Sequence, residues 1–436
     1  MTERFVVATL AQPRSAWATD LVQGATTGAL PVEIVQCVSM EELRARLASG
    51  RAFSAVVLDS AVPGVDRELL DPVRHAGAAL IVVASGRAER DWLDLGAMAV
   101  VARHPGRDEL LHALRAHAVP IVRGDEPDPM PTAPRSPAAP WRGTLVAVTG
   151  AAGAGTSTAA MALAQGLAQD PRHDALVVLA DLALDADQAL LHDAGDVVPG
   201  VQELTEAYRS GHPSTNDVRA LTFLVAQRRY HVLLGLRRHR DWAAIRPRSF
   251  EAALDGLRRA FRIVVADVDP DLEGEATCGS IDVEERNTMA RTTLGQADVV
   301  LVVGRCGMAG LSGQVRVLTA LVDHGVDPRR LVPVLSHAPR SHRARAELAR
   351  ALADLSGALA PRAMASPIFL PERRRLDDAA RDATRLPQAL VSPLVGAVGA
   401  ALDRGAEPVP PPPAEEPVAV APGSLGWWTD AESAPT

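Results

Sequence analysis

The stretch LVAVTGAAGAGTST, residues 145–158, decides the fold of this 436-residue chain. A short apolar run leads into a turn rich in glycine and alanine, and a hydroxyl-rich segment follows it. Glycine allows a backbone to approach an anion closely, and the amide groups of such a turn and of the next helix can converge on a phosphate. The stretch therefore predicts a strand, a phosphate-binding loop and a helix at the edge of a parallel sheet.

The loop matches the pattern G-x-x-x-x-G-K-[ST] at every fixed position except its lysine. Gly150, Gly155 and Ser157 are in register, and Thr156 occupies the lysine position. The sequence contains no lysine, so all 45 basic residues are arginine. We expect the loop to bind a nucleotide, with weak triphosphate binding and slow hydrolysis because the usual cation is missing. The predicted cradle comprises Gly150, Ala151, Gly153, Ala154, Gly155, Thr156, Ser157 and Thr158; a strand-to-helix turn without a ligand is the alternative.

Two aspartates follow apolar runs and complete the predicted site. Asp267 ends FRIVVAD and Asp181 ends VVLAD. We predict that Ser157 and Asp267 hold Mg²⁺ beside ATP, and that Asp181 orients the attacking water, which makes Asp181 and Asp267 the candidate catalytic residues. The alternative for both aspartates is a cap of the turn that follows a strand.

The order of these segments resembles that of the MinD/ParA group of P-loop ATPases. The resemblance covers most of residues 143–400 and rests on VTGAAGAGTST, VVLADLALDADQALL, FRIVVADVDP and QADVVLVVGRCGMAGLSGQVRVLTAL. Within the group the chain is similar to the CpaE/TadZ-like proteins of pilus assembly and the related actinobacterial septum-site proteins. The resemblance implies a homodimer that acts as a spatial regulator through protein partners, which would be a secretion or pilus ATPase or the division machinery. It also implies a cytoplasmic protein, recruited to the pole or septum at the inner face of the membrane.

Three positions depart from the pattern that the resemblance implies. Ala151 stands where the family places a signature lysine that reaches across the dimer, and Ala183 stands at the second switch aspartate, with Asp185 and Asp187 nearby. The segment 335–337, Leu-Ser-His, replaces an asparagine that helps to recognise adenine. These departures weigh against hydrolysis. Members of the actinobacterial branch also lack the loop lysine.

Other interpretations of the site remain open. Arginine binds phosphate in a bidentate manner, so Arg305 or the arginines of segment 237–240 (Arg237, Arg238 and Arg240) would give a slow ATPase if they replaced the lysine. A scaffold that keeps the fold without nucleotide is the second alternative. A short-chain dehydrogenase is excluded, because its chemistry needs a tyrosine and lysine pair and the chain has no lysine.

The N-terminal 120 residues predict a separate domain. Apolar runs at 5–10, 32–37, 55–59, 79–85 and 98–102 alternate with amphipathic stretches, which is typical of a doubly wound α/β fold. The domain resembles a receiver: Asp59 stands at the phosphoacceptor position, Ser85 at the hydroxyl position and Arg103-His104-Pro105 near the lysine-proline pair. The segment 9–13 has no carboxylate to hold Mg²⁺. We therefore predict a degenerate receiver that binds a partner, with Asp59 as a strand-end cap.

The remaining composition sets the boundaries of the predicted domains. A proline-rich linker is predicted over 121–142, a parallel-sheet α/β domain of the P-loop (MinD-like) class over 143–404, and a disordered acidic tail over 405–436 that carries Trp427-Trp428.

The net charge of −8 without a basic stripe argues against sequence-specific nucleic-acid binding. Three dispersed cysteines fit a reducing compartment, and no apolar run is long enough for stable membrane insertion.

Overall fold

The structure is a computed structural model that describes residues 5–62, 64–84, 91–121, 141–195, 198–357, 364–373, 376, 379, 382 and 384–406. Ser85, Trp427, Trp428 and nearly all of the predicted linker and tail lie outside the described residues. None of the described helices combines the length and apolar character that crossing a bilayer requires.

The N-terminal part of the chain forms a five-stranded sheet in which every pair of neighbouring strands is parallel. The strand order β2-β1-β3-β4-β5 is that of a doubly wound sheet, and buried apolar side chains cover both of its faces. The strands are β1 (Phe5–Leu10), β2 (Val32–Cys37), β3 (Ala55–Asp59), β4 (Ala79–Val83) and β5 (Ala99–Val101).

The remaining strands form an eight-stranded sheet in the order β13-β12-β11-β6-β10-β7-β9-β8. All neighbours pair in parallel except β8, which runs antiparallel to β9 at the edge. The strands are β6 (Thr144–Gly150), β7 (Val177–Asp181), β8 (Phe223–Val225), β9 (Tyr230–Leu233), β10 (Ile263–Asp267), β11 (Val299–Arg305), β12 (Leu331–Ala338) and β13 (Ile368–Pro371).

Helices cover both sheets. Those of the N-terminal part are α1 (Ala16–Thr26), α2 (Met40–Ala48), α3 (Arg67–His75) and α4 (Arg107–His117). Those of the larger part are α5 (Thr156–Gln169), α6 (Gln188–Leu191), α7 (Val201–Ser210), α8 (Thr215–Ala220), α9 (Pro247–Ala260), α10 (Glu275–Cys278), α11 (Ile281–Arg286), α12 (Thr288–Gln296), α13 (Met308–Asp323), α14 (His342–Leu355) and α15 (Gln388–Ala406). Short 3-10 turns lie at Pro171–His173, His239–Ala244 and Pro328–Arg330.

These two parallel sheets confirm the predicted fold class. The central strands β6, β7 and β10 are buried along almost their whole length, which is why their sequences are continuous apolar runs. Sequence reasoning missed the edge strands β8 and β13. The first has three residues, two of them exposed, and the second has four residues and ends in a proline, so neither gives a clear periodic signal.

Helix α5 is packed between the sheet and α15, and glycine makes this close packing possible. A Cβ atom on Gly166 would come within 2.4 Å of Val395 Cγ2 and within 2.5 Å of Val391 Cγ1. All residues of α5 from Ala159 to Ala168 are buried. The helix that follows the glycine-rich loop is therefore fixed on two sides.

The two sheets are joined by polar contacts at the start of α3. Arg67 donates from Nε to the Tyr208 carbonyl at 2.8 Å and from Nη2 to the Gly211 carbonyl at 3.2 Å, where α7 ends. Asp66 forms an ion pair with Arg209 at 2.9 Å. Arg67 is only 4 % exposed, so its guanidinium satisfies carbonyl groups that would otherwise be buried without a partner.

Glu68 makes the complementary contact at the start of α9. Its Oε1 accepts from the Ser249 backbone N–H at 2.7 Å and from the Ser249 hydroxyl at 2.8 Å, and its Oε2 accepts from the Arg248 N–H at 3.2 Å. A carboxylate at this position satisfies free amides and complements the positive end of the helix dipole. We call the contacts of residues 66–68 with α7 and α9 the interdomain clasp.

The interdomain clasp predicts that Glu68→Ala destabilises the larger domain. Removing the carboxylate leaves the first amides of α9 without their acceptor, so we expect the free energy of unfolding to fall by about 1–2 kcal/mol. Urea denaturation followed by circular dichroism measures the change. Asp20→Ala on α1 is the control, since Asp20 is exposed and makes no ion pair within the described residues. An equal effect of the two substitutions would contradict the clasp.

Candidate functional site

The glycine-rich loop joins β6 to α5 at the carboxyl edge of the sheet. Gly153 and Gly155 have φ values of 73° and 87°, a left-handed backbone that glycine adopts readily. Gly155 immediately precedes the first residue of α5 and provides no side-chain cap, so the amides of the first turn have no side-chain cap acceptor. The loop thus presents free N–H groups at the positive end of a helix.

The three glycines have different functions in the loop. A Cβ atom on Gly150 would lie 2.1 Å from the Val303 carbonyl oxygen, so this position must be glycine for β6 to pair with β11. Nothing lies within 4 Å of the corresponding point at Gly153 or Gly155. These two positions face open space, so side chains there would fill the place available to a ligand.

The side chains of the predicted cradle provide hydroxyl groups but no charge. Thr156, Ser157 and Thr158 are half-buried in the first turn of α5, while Ala154 is buried and its N–H donates to the Ala151 carbonyl at 3.0 Å. Ala151 packs against Gly313 of α13. All eight predicted cradle residues therefore lie in one strand-to-helix connection.

Asp181 and Asp267 are brought together by the pairing of β7 with β10, in which they are direct register partners. Both carboxylates are buried, with 0 % and 3 % exposure. They lie beside the first turn of α5, where the Ser157 side chain interacts with the Asp267 carboxylate. The structure therefore brings together the three residues predicted to bind metal and water.

Sequence reasoning missed Gln188, which links all three of these residues. Its backbone N–H donates to Asp181 Oδ2 at 2.9 Å, and its side-chain Nε2 donates to Asp267 Oδ2 at 2.7 Å and to the Ser157 carbonyl at 3.4 Å. The residue is wholly buried at the start of α6. A single glutamine before Ala-Leu-Leu matches no motif, and its contacts depend on a loop that folds back over the strand ends. Its role could therefore not be predicted from the sequence.

Burial raises the pKa of both carboxyl groups. The pKa of Asp267 rises to about 6, mainly because burial removes its hydration. Interactions with the side chains of Gln188 and Ser157 lower the pKa, whereas the charges of Asp269 and Asp187 raise it further. The pKa of Asp181 is also well above its ordinary value, because of burial and the neighbouring charge of Asp267. Both Asp181 oxygens already accept backbone N–H groups, from Gln188 at 2.9 Å and Ala183 at 3.5 Å.

The oxygen donors around Asp267 fit a magnesium ion. Mg²⁺ prefers hard oxygen ligands and takes only one or two carboxylates when phosphate supplies the rest. Ser157 offers a hydroxyl and Asp267 a carboxylate, and Oε1 of Gln188 is buried with no hydrogen-bond partner among the described residues. These residues can therefore hold the ion that the sequence predicts.

A cavity adjoins the loop on the side of β12 and β13. The predicted segment 335–337 contributes Ser336 and His337 to its wall, and His337 has a φ of 53°. The opposite wall was not predicted, because it comes from the short strand β13. The cavity is lined mainly by Ala154, Gly155, Thr158, Ser336, His337, Leu370, Pro371, Glu372 and Arg373.

The arginines considered as substitutes for the lysine are placed differently. Arg237 forms an ion pair with Glu203, and His239 contacts Asp185 at 2.9 Å, so this segment is partly engaged elsewhere. Arg305 is exposed at the end of β11, two residues beyond the Val303 carbonyl that contacts Gly150. No ion pair of Arg305 occurs within the described part of the chain.

No protein-family model and no curated protein matches the sequence. Among solved structures, a ParA family ATPase from Chlorobium tepidum is 12% identical with a TM-score of 0.47, and the match covers 58% of this chain and 97% of that one. The cell division ATPase MinD of Pyrococcus furiosus is 15% identical with a TM-score of 0.42, over 60% and 99% of the two chains. A variant of McdA from Cyanothece, solved as a complex with ATP, is 17% identical with a TM-score of 0.44, over 61% and 97%.

The raised pKa of Asp267 predicts a pH-dependent stability. The folded protein holds this proton more tightly than the unfolded chain, so the free energy of unfolding falls as the pH rises from about 4 to about 6. Asp267→Asn removes the buried charge and is expected to stabilise the metal-free protein at pH 7 by about 2 kcal/mol, with little effect below pH 4. Urea denaturation across this pH range measures both effects.

Asp323→Asn is the control for this prediction, since Asp323 is exposed at the end of α13. It should leave the shape of the pH profile unchanged. Parallel profiles for Asp267→Asn and Asp323→Asn would contradict a raised pKa of Asp267.

Proposed function

We propose that this chain is a MinD/CpaE-like spatial regulator of pilus or secretion assembly or of septum placement, which binds ATP weakly and acts through dimerisation and protein partners. The observation that carries the nucleotide part is the loop of residues 150–158. Its free helix-terminal amides and two left-handed glycines face open space, and Ser157 of the same loop interacts with the buried Asp267. Phosphate groups are the ligands that such an arrangement accommodates.

Each part of the site has a proposed role. The amides of Gly153 and of residues 155–158 would bind the phosphates, and Ser157 with Asp267 would hold Mg²⁺, which neutralises phosphate charge when it is bound. The cavity lined by Ser336, His337 and Pro371 is contiguous with Gly155 and would receive the base. ATP with Mg²⁺ is thus the proposed cofactor pair.

Two features support binding without rapid hydrolysis. Thr156 provides no positive charge where a lysine would stabilise the transition state. Asp181, proposed to orient water, is wholly buried and already accepts two backbone N–H groups. Water could be oriented by Asp181 only after the Gln188 segment moves away. We therefore propose a nucleotide-dependent switch in which turnover is slow or absent.

Calorimetric titration of the full chain with ATP, with and without Mg²⁺, tests the proposal. Saturable binding strengthened by Mg²⁺ is expected. No binding at millimolar ATP would favour a scaffold that uses only the fold. Turnover that Arg305→Ala abolishes would instead favour an ATPase in which this arginine replaces the lysine.

Gly155→Val is expected to abolish ATP binding. The new side chain projects into the open space of the loop, and its backbone strain is expected to cost about 1–2 kcal/mol. Gly279→Val is the matched control, because Gly279 has a φ of 72° and equally open surroundings outside the loop. Calorimetry should show binding to the Gly279 variant only. Unchanged binding by Gly155→Val would show that the loop is not the site.

Thr156→Lys is expected to tighten ATP binding about tenfold, since it restores a charge-assisted contact to phosphate. Thr215→Lys is the control: it adds the same charge at the exposed first residue of α8. Titration of both variants under equal ionic strength separates the local contact from net charge. Equal affinities would contradict the assignment of Thr156 to the lysine position.

A further inference from the structure

A second cleft lies far from the glycine-rich loop in sequence, at the carboxyl edge of the N-terminal sheet. It has a volume of about 290 Å³ and is lined by residues after β1 and β5, by Asp59 and Ala61 at the end of β3, and by Val83 and Ala84 at the end of β4. The order β2-β1-β3 reverses direction at β1, and ligands of doubly wound sheets bind outside the strand ends at such a reversal. We call it the N-terminal cleft.

The N-terminal cleft is lined by cationic side chains. Arg14, Arg103 and His104 come from two different connections, and no ion pair is formed by them within the described residues. Three other arginines of the same domain do form ion pairs: Arg46 with Glu42 at 2.7 Å, Arg51 with Glu33 at 2.9 Å and Arg74 with Asp71 at 3.5 Å. Arg14 also has a φ of 66°, a conformation that costs free energy for a residue with a side chain. The structure thus keeps a strained arginine, without an ion pair among the described residues, at the mouth of the cleft.

The start of α1 adds hydrogen-bond donors to the same wall. Ser15, Ala16 and Trp17 line the cleft, and the Ser15 side chain makes no capping hydrogen bond. The first amides of this 11-residue helix therefore lack the usual side-chain acceptor. Residues at the start of α1 and arginines of the loops therefore line the same N-terminal cleft.

The chemistry of the cleft is opposite to that of a metal-dependent phosphoacceptor. Gln12 and Pro13 lie in the segment where carboxylates would hold Mg²⁺, and Arg14 follows it; Gln12 donates to the Ala61 carbonyl at 2.8 Å. Asp59 is 8 % exposed, and its two oxygens accept from the Ala61 N–H at 2.9 Å and from the Trp17 indole at 3.4 Å. The Asp59 carboxylate is therefore hydrogen-bonded to Ala61 and Trp17, while the cations of the cleft have no carboxylate partner among the described residues.

We propose that the N-terminal cleft binds a phosphate dianion non-covalently, either as the free ion or as a small phosphate monoester. Arg14 and Arg103 provide the charge, and the first turn of α1 provides neutral donors. The volume of the cleft is at the lower end of the range for small-molecule sites, which restricts the ester to a small one. No bond to Asp59 is formed in this proposal.

The test follows the indole N–H signal of Trp17 by NMR in the full chain, assigned by its loss in Trp17→Phe. Inorganic phosphate is titrated without nucleotide, against sodium chloride at the same ionic strength. We expect a saturable shift with phosphate only. Arg103→Ala should weaken binding about tenfold, whereas the matched control Arg115→Ala, at the exposed end of α4, should leave it unchanged. Glycerol phosphate in place of phosphate distinguishes an ester site from a site for the free ion.

Asp59→Asn distinguishes anion binding from phosphoacceptor chemistry. It removes a repulsive charge and leaves one oxygen, which can accept from the Ala61 N–H or from the Trp17 indole, so phosphate binding should tighten several-fold. Four results would overturn the proposal: no shift of the Trp17 signal, an equal shift with chloride, equal effects of Arg103→Ala and Arg115→Ala, or a Trp17 signal that responds to Mg²⁺ alone and loses this response in Asp59→Asn.

Discussion

The burial of two adjacent carboxylates is the constraint on which the proposed nucleotide site depends. Parallel pairing of β7 with β10 places Asp181 beside Asp267 with almost no access to water. Such a pair is stable only when donors or protons compensate its charge. Gln188 donates to both carboxylates and to the Ser157 carbonyl, and through it the glycine-rich loop, α6 and the centre of the sheet become one connected unit.

The buried carboxylates also affect where the glycine-rich loop, with Thr156 at the lysine position, would obtain positive charge. A magnesium ion at Asp267 and Ser157 would bring positive charge to the very place where the carboxylates lack it, so metal and phosphate would be mutually dependent ligands of this loop. In a loop with a lysine, part of that charge is permanent. Here the charge would arrive with the ligand, which makes the occupied and empty states of the site electrostatically more different than in a lysine-containing loop.

Local sequence determined most of the fold and part of the site. The buried strands β6, β7 and β10 were predictable because continuous apolar runs have few other uses. The loop was predictable from its glycine spacing, and Gly153 and Gly155 indeed have the left-handed backbone that glycine adopts readily. Gln188, the cavity wall from β13 and the interdomain clasp were not predictable. Each depends on contacts between segments distant in sequence or on edge elements too short to show periodicity, so no pattern in one segment could reveal it.

The interdomain clasp has a consequence for how the chain can be divided. Glu68 and Arg67 complete α9 and α7, two helices of the larger sheet, although both residues lie in the first 120 positions. A fragment that starts after the proline-rich segment would retain every strand of the larger sheet and the whole phosphate loop, yet two of its helix ends would be left unfinished. The proline-rich segment thus marks a change in composition, but the stability of the larger domain also depends on hydrogen bonds that residues of the N-terminal domain provide.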